Sequence, residues 1–200
     1  MWPFLVSARA RPGPPARHIV ITLLQTAAMW AVFLFIAPAI IVRMENLLGL
    51  SRFHFAIPAQ HAIAATVFVM CGSAGIVSGL DMARHGEGTP LPATGTNRLI
   101  VIGLYRYVRN PMAMSSLAQG LCVAIWLGSP FVLAYVLAGS LLWNFVARPW
   151  EEADLARRFG EPYQEYRRAV RCWIPRLSPY SPGSRTFEAI TAQNRHNIEN

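Results

Sequence analysis

Apolar residues dominate the chain in four long runs, and polar residues are concentrated between and after these runs. A helix of about 20 apolar residues crosses the ~30 Å hydrocarbon core of a bilayer. The last two runs are shorter, and the uncharged turn 128–130 separates them, so they predict a helical hairpin. The pattern therefore predicts an all-α membrane protein with about four transmembrane helices. The runs cover 18–42, 58–81, 111–127 and 131–147.

The polar region after the fourth run has a helical periodicity of its own. Gly160 is suited to end one helix, and Pro162 is suited to begin the next. Tyr163, Tyr166 and Val170 recur at i, i+3 and i+7, with arginines beside them. This pattern predicts a C-terminal amphipathic helix on the membrane surface, with its arginines near anionic lipid headgroups.

Composition divides the chain into three parts. Residues 1–17 are rich in proline and arginine and predict a flexible N-terminal arm. Residues 18–176 contain the apolar runs and predict one membrane domain. Residues 177–200 are rich in Ser, Pro, Gly and Asn, which predicts a flexible tail.

Charge supports the membrane class and predicts an orientation. The chain is 54% hydrophobic and 14% charged, with a formal charge of +8. All 18 basic residues are arginines, and they lie in loops beside apolar runs, so we expect no nucleic-acid partner. Successive polar segments contain 3, 2, 4, 0 and 9 arginines. The positive-inside rule therefore predicts cytoplasmic termini in a multi-pass protein, which we expect in a bacterial inner membrane.

Polar residues inside the runs are few, and each has two interpretations. Gln25, Gln119 and Asn144 are either contacts between helices or functional groups. Gly72, Gly75 and Gly79 fall on one helix face, which either packs against another helix or forms the wall of a ligand site. A transporter would need ionisable residues well inside the runs, and none is found there.

No familiar catalytic or metal-binding signature occurs in the sequence. The three cysteines, Cys71, Cys122 and Cys172, have no spacing typical of metal ligands, so we expect no metal site. Two polar segments remain as candidates, 103–111 and Glu151-Glu152. Each alone is typical of a membrane boundary or a helix start, but the hairpin between them returns both to one face, which predicts a shared site.

Three ordered motifs in this region carry a resemblance to a known family. They are Gly86-x-Gly-Thr-Pro-x-Pro92, then Leu99-Ile-Val-x-Gly-x-Tyr-Arg-Tyr-Val-Arg-Asn-Pro-Met112, and a third from Glu151-Glu152 through Phe159-Gly160, Tyr163 and Tyr166 to Trp173-Ile-Pro175. Together they resemble the isoprenylcysteine carboxyl methyltransferase and phospholipid methyltransferase superfamily. Its members are integral membrane enzymes that use S-adenosylmethionine.

The resemblance implies a cofactor pocket built from 86–111 and 148–173 at the cytoplasmic face. Arg109 and Glu152 would have the catalytic roles, with Arg109 also suited to the cofactor carboxylate and a glutamate to its ammonium or ribose. The acceptor would be a lipophilic or small amphiphilic carboxylate, amine or thiol that arrives from the bilayer among membrane lipids. The implied cofactor-binding residues are Gly103, Tyr105, Arg109, Asn110, Pro111, Glu151, Glu152, Tyr163 and Tyr166.

The chain departs from the family pattern in places that bear on its chemistry. Many members have histidine at the position of Asn110, and asparagine cannot change charge near neutral pH, so we expect a binding role there. Residues 113–116 replace a common Tyr-Gly pair at the start of the third helix, which leaves the acceptor open. Prenylcysteine, phosphatidylethanolamine, a quinone-like lipid and a small thiol all fit these residues. The alternative function is a non-catalytic lipid-binding or assembly protein on the same scaffold.

Overall fold

The computed structural model describes residues 8–9, 14–86, 94–183, 188, 190–191 and 194. Short 3-10 turns occur at Leu50–Phe53 and Gly103–Arg106, and two short strands are β1 (Ala8–Arg9) and β2 (Thr94–Gly95). The helical elements in these ranges are α1 (Pro15–Trp30), a π-helical segment (Ala31–Ile36), α2 (Ala37–Leu47), α3 (Gln60–His85), α4 (Pro111–Leu127), α5 (Pro130–Leu142), a second π-helical segment (Trp143–Ala147) and α6 (Arg148–Ala169).

The predicted all-α membrane architecture is confirmed. Three continuous helices are long and apolar enough to cross a membrane, namely Ala16–Leu47, Gln60–His85 and Pro130–Ala169. The fourth, α4, is a shorter apolar helix with the bounds predicted for the third run. Large apolar side chains such as Met70 and Phe145 lie exposed on the outer helix faces, as expected of surfaces that face lipid.

A proline follows each π-helical segment and accounts for it. Proline has no N–H, and its ring collides with the carbonyl four residues earlier, so the helix widens before it. Pro38 follows the segment Ala31–Ile36, and Pro149 follows the segment Trp143–Ala147. Neither segment interrupts the helix around it. As a result α5 continues into α6 through residues that we had expected to form separate helices.

The helical stretch from Pro130 to Ala169 contains 40 residues and bends at Gly160. At ~1.5 Å per residue the part before the bend is about 45 Å long, longer than the ~30 Å hydrocarbon thickness. Its apolar part ends at Ala147, and charged residues begin at Arg148. We therefore treat 130–147 as the membrane-spanning part and α6 as lying outside the hydrocarbon.

The tyrosine stripe of α6 does not lie on the membrane surface, so that expectation was wrong. Gly160 has φ 55° and ψ −135° and bends the helix at the predicted place. Beyond the bend, Tyr163, Tyr166 and Val170 are buried in a core cluster that includes Leu99. The stripe is buried against the protein because the 94–102 segment and residues near the C-terminus cover it, while the neighbouring arginines stay exposed.

The N-terminal arm and the C-terminal tail are described only in part. β1 pairs in parallel with β2, and α1 begins at Pro15, three residues before the predicted start. In the tail, the Tyr180 amide donates to the Arg106 carbonyl at 2.9 Å, and Ile190 is buried. Flexibility of the arm and of the remaining tail stays a prediction. Most of the first motif, residues 87–92, lies outside the described residues.

The helices alternate in direction, so their connections gather at two ends. At one end, the Phe55 amide donates to the Gly128 carbonyl at 2.8 Å. Gly128 has φ +62°, and a Cβ there would collide with the Phe55 carbonyl, so the turn requires glycine. In the same place Ser129 donates to the buried carboxylate of Glu45 at 2.8 Å. The segments 103–111 and 151–152 lie at the opposite end, which we call the site end.

We predict that Ser129→Ala destabilises the protein by about 1–3 kcal/mol. Ser129 Oγ accepts the Val132 amide at 3.0 Å and so caps α5, and it is also a donor to buried Glu45. The measurement is thermal unfolding in detergent. The matched control is Ser51→Ala, which removes only an exposed hydrogen bond to Asn46. Equal unfolding temperatures for the two variants would contradict the prediction.

Candidate cofactor site

The structure brings the two predicted polar segments into direct contact at the site end. Arg109 Nη1 lies 3.0 Å from Glu152 Oε1, and Asn110 Nδ2 donates to Glu151 Oε2 at 3.1 Å. Adjacent residues of one segment therefore pair with adjacent residues of the other. Their roles with a cofactor stay predictions, and the geometry defines what they can do.

Asn110 joins the start of α4 to the site. Its Oδ1 accepts the Ala113 amide at 3.0 Å and caps the helix, and Pro111 then occupies the first helical position, where a missing N–H has no cost. The Nδ2 group of the same side chain remains free to donate to Glu151. Asparagine suits this position because one side chain supplies both an acceptor and a donor.

Glu152 is surrounded by arginines. Besides Arg109, it lies 3.3 Å from Arg167 Nε and 3.9 Å from Arg148 Nε. The side chains of Arg109 and Glu152 are only 12% and 13% exposed, so solvent screens this pair weakly. Three guanidinium groups around one carboxylate leave an excess of positive charge, which favours an anionic group of a ligand.

Glu151 provides the opposite charge beside this cluster. Its side chain is exposed to solvent and lies next to the carboxylates of Glu152 and Asp154. Desolvation, with Glu152 and Asp154 nearby, raises the pKa of Glu151 to about 7. A carboxylate in this state is poorly compensated and is stabilised by a cationic ligand.

The tyrosines of α6 close the site from the protein interior. Tyr166 donates to the Tyr105 carbonyl at 2.6 Å, and Tyr163 is buried close enough to Arg109 for the guanidinium to act on it electrostatically. Tyr105 is itself buried, and burial raises its pKa well above the ordinary value. Its hydroxyl has no hydrogen-bond partner among the described residues, which leaves a donor available within the site.

Asp81 is a residue of this region that sequence reasoning missed. Gly103 has φ +52°, and a Cβ there would collide with the Asp81 carboxylate, so the glycine lets the end of α3 approach the 103–106 turn. Asp81 is also close enough to act electrostatically on Tyr105. The only signal in the sequence was an acidic residue at the end of an apolar run, which we had interpreted as a helix end.

A second contact that sequence reasoning missed runs along the backbone after α6. The Arg109 amide donates to the Arg171 carbonyl at 3.0 Å, and the Arg176 amide donates to the Tyr107 carbonyl at 2.9 Å. Trp173 donates to Asn144 Oδ1, in the second π-helical segment, at 2.9 Å. Residues 171–180 therefore hold the 103–111 segment in place from outside.

Comparison with known proteins identifies a family whose match covers both polar segments. The family model described as phospholipid methyltransferase matches residues 60–162, more than half of the chain and all of α3, α4 and α5. The matched range includes the Arg109–Glu152 and Asn110–Glu151 pairs, while Tyr163 and Tyr166 lie just beyond it. No solved structure matches the chain.

Three curated relatives show partial similarity. A methanethiol S-methyltransferase 2 of Bradyrhizobium diazoefficiens is 34% identical over 37% of this chain and 27% of its own length. A protein-S-isoprenylcysteine O-methyltransferase of Schizosaccharomyces pombe is 33% identical over 38% of this chain and 33% of its own. A methanethiol S-methyltransferase of Pseudomonas deceptionensis is 30% identical over 55% of this chain and 38% of its own. The similarity thus covers about a quarter to two fifths of each relative.

From the matched family model and the ordered motifs, the chain belongs to the phospholipid methyltransferase family.

Proposed function

We propose that this protein is an integral membrane methyltransferase that uses S-adenosylmethionine and methylates a lipophilic or small amphiphilic acceptor at the cytoplasmic membrane face. The observation that carries the proposal is the double pairing of Arg109 with Glu152 and of Asn110 with Glu151. This pairing occurs inside the part of the chain that matches the family. The cytoplasmic orientation is supported by the arginine distribution.

The residues of the site fit the charges of the cofactor. S-adenosylmethionine carries a carboxylate, an ammonium and a sulfonium. It therefore needs a positively charged site for the carboxylate next to negatively charged sites for the two cationic groups. The arginine cluster around Glu152 favours the carboxylate, and Glu151 favours a cationic group. The unpartnered hydroxyl of Tyr105 is available to the remaining polar groups of the ligand. Pro111 shapes the site by starting α4 rather than by polar contact.

The proposed chemistry depends on alignment more than on acid–base catalysis. When bound, S-adenosylmethionine would supply an electrophilic methyl group on a sulfonium leaving group, and the arginine cluster and Glu151 would hold it in place. Glu152 holds Arg109 in position, and Asn110 holds Glu151. Orientation of bound reactants accounts for about 7–11 kcal/mol of barrier lowering in favourable cases.

The acceptor class is proposed from the chemistry common to the relatives. Their names specify methylation of methanethiol sulfur and of isoprenylcysteine oxygen, so family sites of this kind take acceptors of different size and nucleophile. A carboxylate or thiolate acceptor needs no base. An amine acceptor would need a base, and in the complex that base would be water or a carboxylate that the cations of the cofactor do not occupy.

We predict that purified protein in detergent binds S-adenosylhomocysteine and that Arg109→Ala and Glu151→Gln each weaken binding at least tenfold. Each variant removes one half of the charge pairing on which the proposal rests. The measurement is isothermal titration calorimetry. The control is Glu161→Gln on the same helix, whose side chain is 64% exposed and pairs only with exposed Arg168.

Absence of binding to the unaltered protein would refute the proposed function. A second measurement separates catalysis from simple binding: incubation with labelled S-adenosylmethionine and a total membrane extract, followed by identification of the labelled fraction. Cofactor binding with no labelled product from any fraction would favour the non-catalytic alternative.

We predict that cofactor binding weakens as pH falls below about 7. Glu151 has its pKa raised to about 7 in the free protein, and a bound cation lowers it, so the ligand prefers the carboxylate form. Below pH 7 binding must first remove a proton, which costs up to about tenfold in affinity per pH unit. Calorimetry from pH 5.5 to pH 8 measures this dependence, and Glu151→Gln should flatten it. An unchanged slope in that variant would contradict the assignment.

A further inference from the structure

An apolar groove lies at the end of the membrane domain opposite the site end. It has a volume of about 430 Å³ and is lined by Phe53, Pro130, Phe131 and Ala134. Phe53 lies in the 3-10 turn that follows α2, and the other three residues belong to the start of α5. Phe53 and Phe131 are 52% and 41% exposed, so the groove is open at the protein surface. We call it the outer groove.

The surroundings of the outer groove are those of a surface that faces lipid. The groove lies beside the first residues of the membrane-spanning part 130–147. Leu47 and Leu48, at the end of α2, are 67% and 65% exposed, and apolar surface of this kind marks contact with a membrane. The volume of the groove falls in the ~300–1,000 Å³ range of ligand pockets. A hydrocarbon chain therefore suits both the lining of the groove and its surroundings.

Arg52 places a positive charge at the rim of the outer groove. Its guanidinium carbon lies 5.0 Å from the centroid of the Phe53 ring, which forms one wall of the groove. This distance is within the range of a cation–π interaction, so the ring keeps the charge beside the groove. The side chain of Arg52 is exposed, and it has no carboxylate partner in the part of the chain that the structure describes. Arg52 is therefore available to an anionic group.

The acidic residue of this end does not neutralise Arg52, because it is already occupied. Glu45 is 2% exposed, accepts a hydrogen bond from Ser129 Oγ at 2.8 Å and lies 3.3 Å from His54 Nε2. Residues 43–56 contain two arginines and one glutamate. With the glutamate buried, the charge that this end presents to the membrane surface is positive, which favours anionic lipid headgroups.

We propose that the outer groove binds one anionic phospholipid, with an acyl chain against Phe53 and Phe131 and the phosphate at Arg52. A zwitterionic phospholipid offers the same hydrocarbon, but its own cation opposes the attraction to Arg52. The groove lies at the end opposite the site end, so a lipid held there is distinct from the proposed methyl acceptor. The proposal therefore does not depend on the proposed function.

A lipid in the outer groove would connect two parts of the fold. Phe53 belongs to the connection between α2 and α3, whereas Phe131 belongs to α5. An acyl chain between these rings adds apolar contact that is lost when the helices separate. Because a ligand that binds the folded state stabilises it, the anionic lipid should raise the unfolding temperature of the protein.

The test is native mass spectrometry of the full-length protein with phosphatidylglycerol or phosphatidylcholine that have identical acyl chains. The unaltered protein should retain phosphatidylglycerol about fivefold more tightly, since one arginine contributes an attraction of this order. Arg52→Gln should abolish the preference. Ala134→Trp should weaken binding of both lipids, because the new side chain fills the groove at an exposed position.

Each variant has a matched control. Arg43→Gln removes the same charge from α2, but two residues turn a helix by about 200°, so exposed Arg43 points away from the face on which Glu45 meets α5. Ala138→Trp introduces the same ring one turn further along α5, at an exposed residue that does not line the groove. Both controls should keep the preference of the unaltered protein. Equal unfolding temperatures in lipid-free detergent exclude misfolding of the variants.

Three results would overturn the proposal. The first is equal retention of the two lipids by the unaltered protein. The second is an equal loss of preference in Arg43→Gln and Arg52→Gln, which would indicate attraction to the charge of the whole surface. The third is normal phosphatidylglycerol binding by Ala134→Trp. A higher unfolding temperature in nanodiscs that contain phosphatidylglycerol than in nanodiscs of phosphatidylcholine alone, lost in Arg52→Gln, would support it.

Discussion

The ion pair between Arg109 and Glu152 is the contact on which the site end depends. It joins two segments that are more than forty residues apart in sequence, one just before α4 and the other in α6. The helical hairpin of α4 and α5 makes the pair possible, because its short uncharged turn returns the chain to the level from which it started. Since the pair is largely shielded from solvent, loss of Glu152 would leave the charge of Arg109 uncompensated at low dielectric, whereas Glu152 without Arg109 would keep Arg167 and Arg148 nearby.

Much of the fold followed from the sequence because the membrane restricts the choice of structure. A chain in hydrocarbon must satisfy its backbone internally, so long apolar runs become helices, and breaker residues define their ends. The start of α4 was predictable because Asn110 and Pro111 form a cap followed by a first-turn proline. The approach of Glu151 to Asn110 was predictable because the arginine count and the hairpin place both on one face.

Other parts of the site could not be predicted, because their causes are tertiary. Asp81 reaches the site only because Gly103 adopts a left-handed conformation that lets α3 approach, and no periodicity encodes that approach. The pairing of 171–180 with 106–109 is made by backbone groups, so it leaves no pattern of side chains from which it could be predicted. The stripe of Tyr163 and Tyr166 had the correct helical period, but a period cannot tell whether protein or lipid covers the face.

The helix that runs unbroken from Pro130 to the bend at Gly160 has a mechanical consequence for the proposed enzyme. Glu151 and Glu152 are fixed to a rod whose lower half lies among lipid chains, whereas Arg109 and Asn110 directly precede α4. With 17 residues, α4 is about 26 Å long at ~1.5 Å per residue, shorter than a ~30 Å hydrocarbon core. A helix of this length is accommodated by local thinning of the bilayer or by snorkelling of its flanking residues, each at a modest cost. The charge pairs at the start of α4 therefore lie where a change in bilayer thickness would act on the spacing of the two segments.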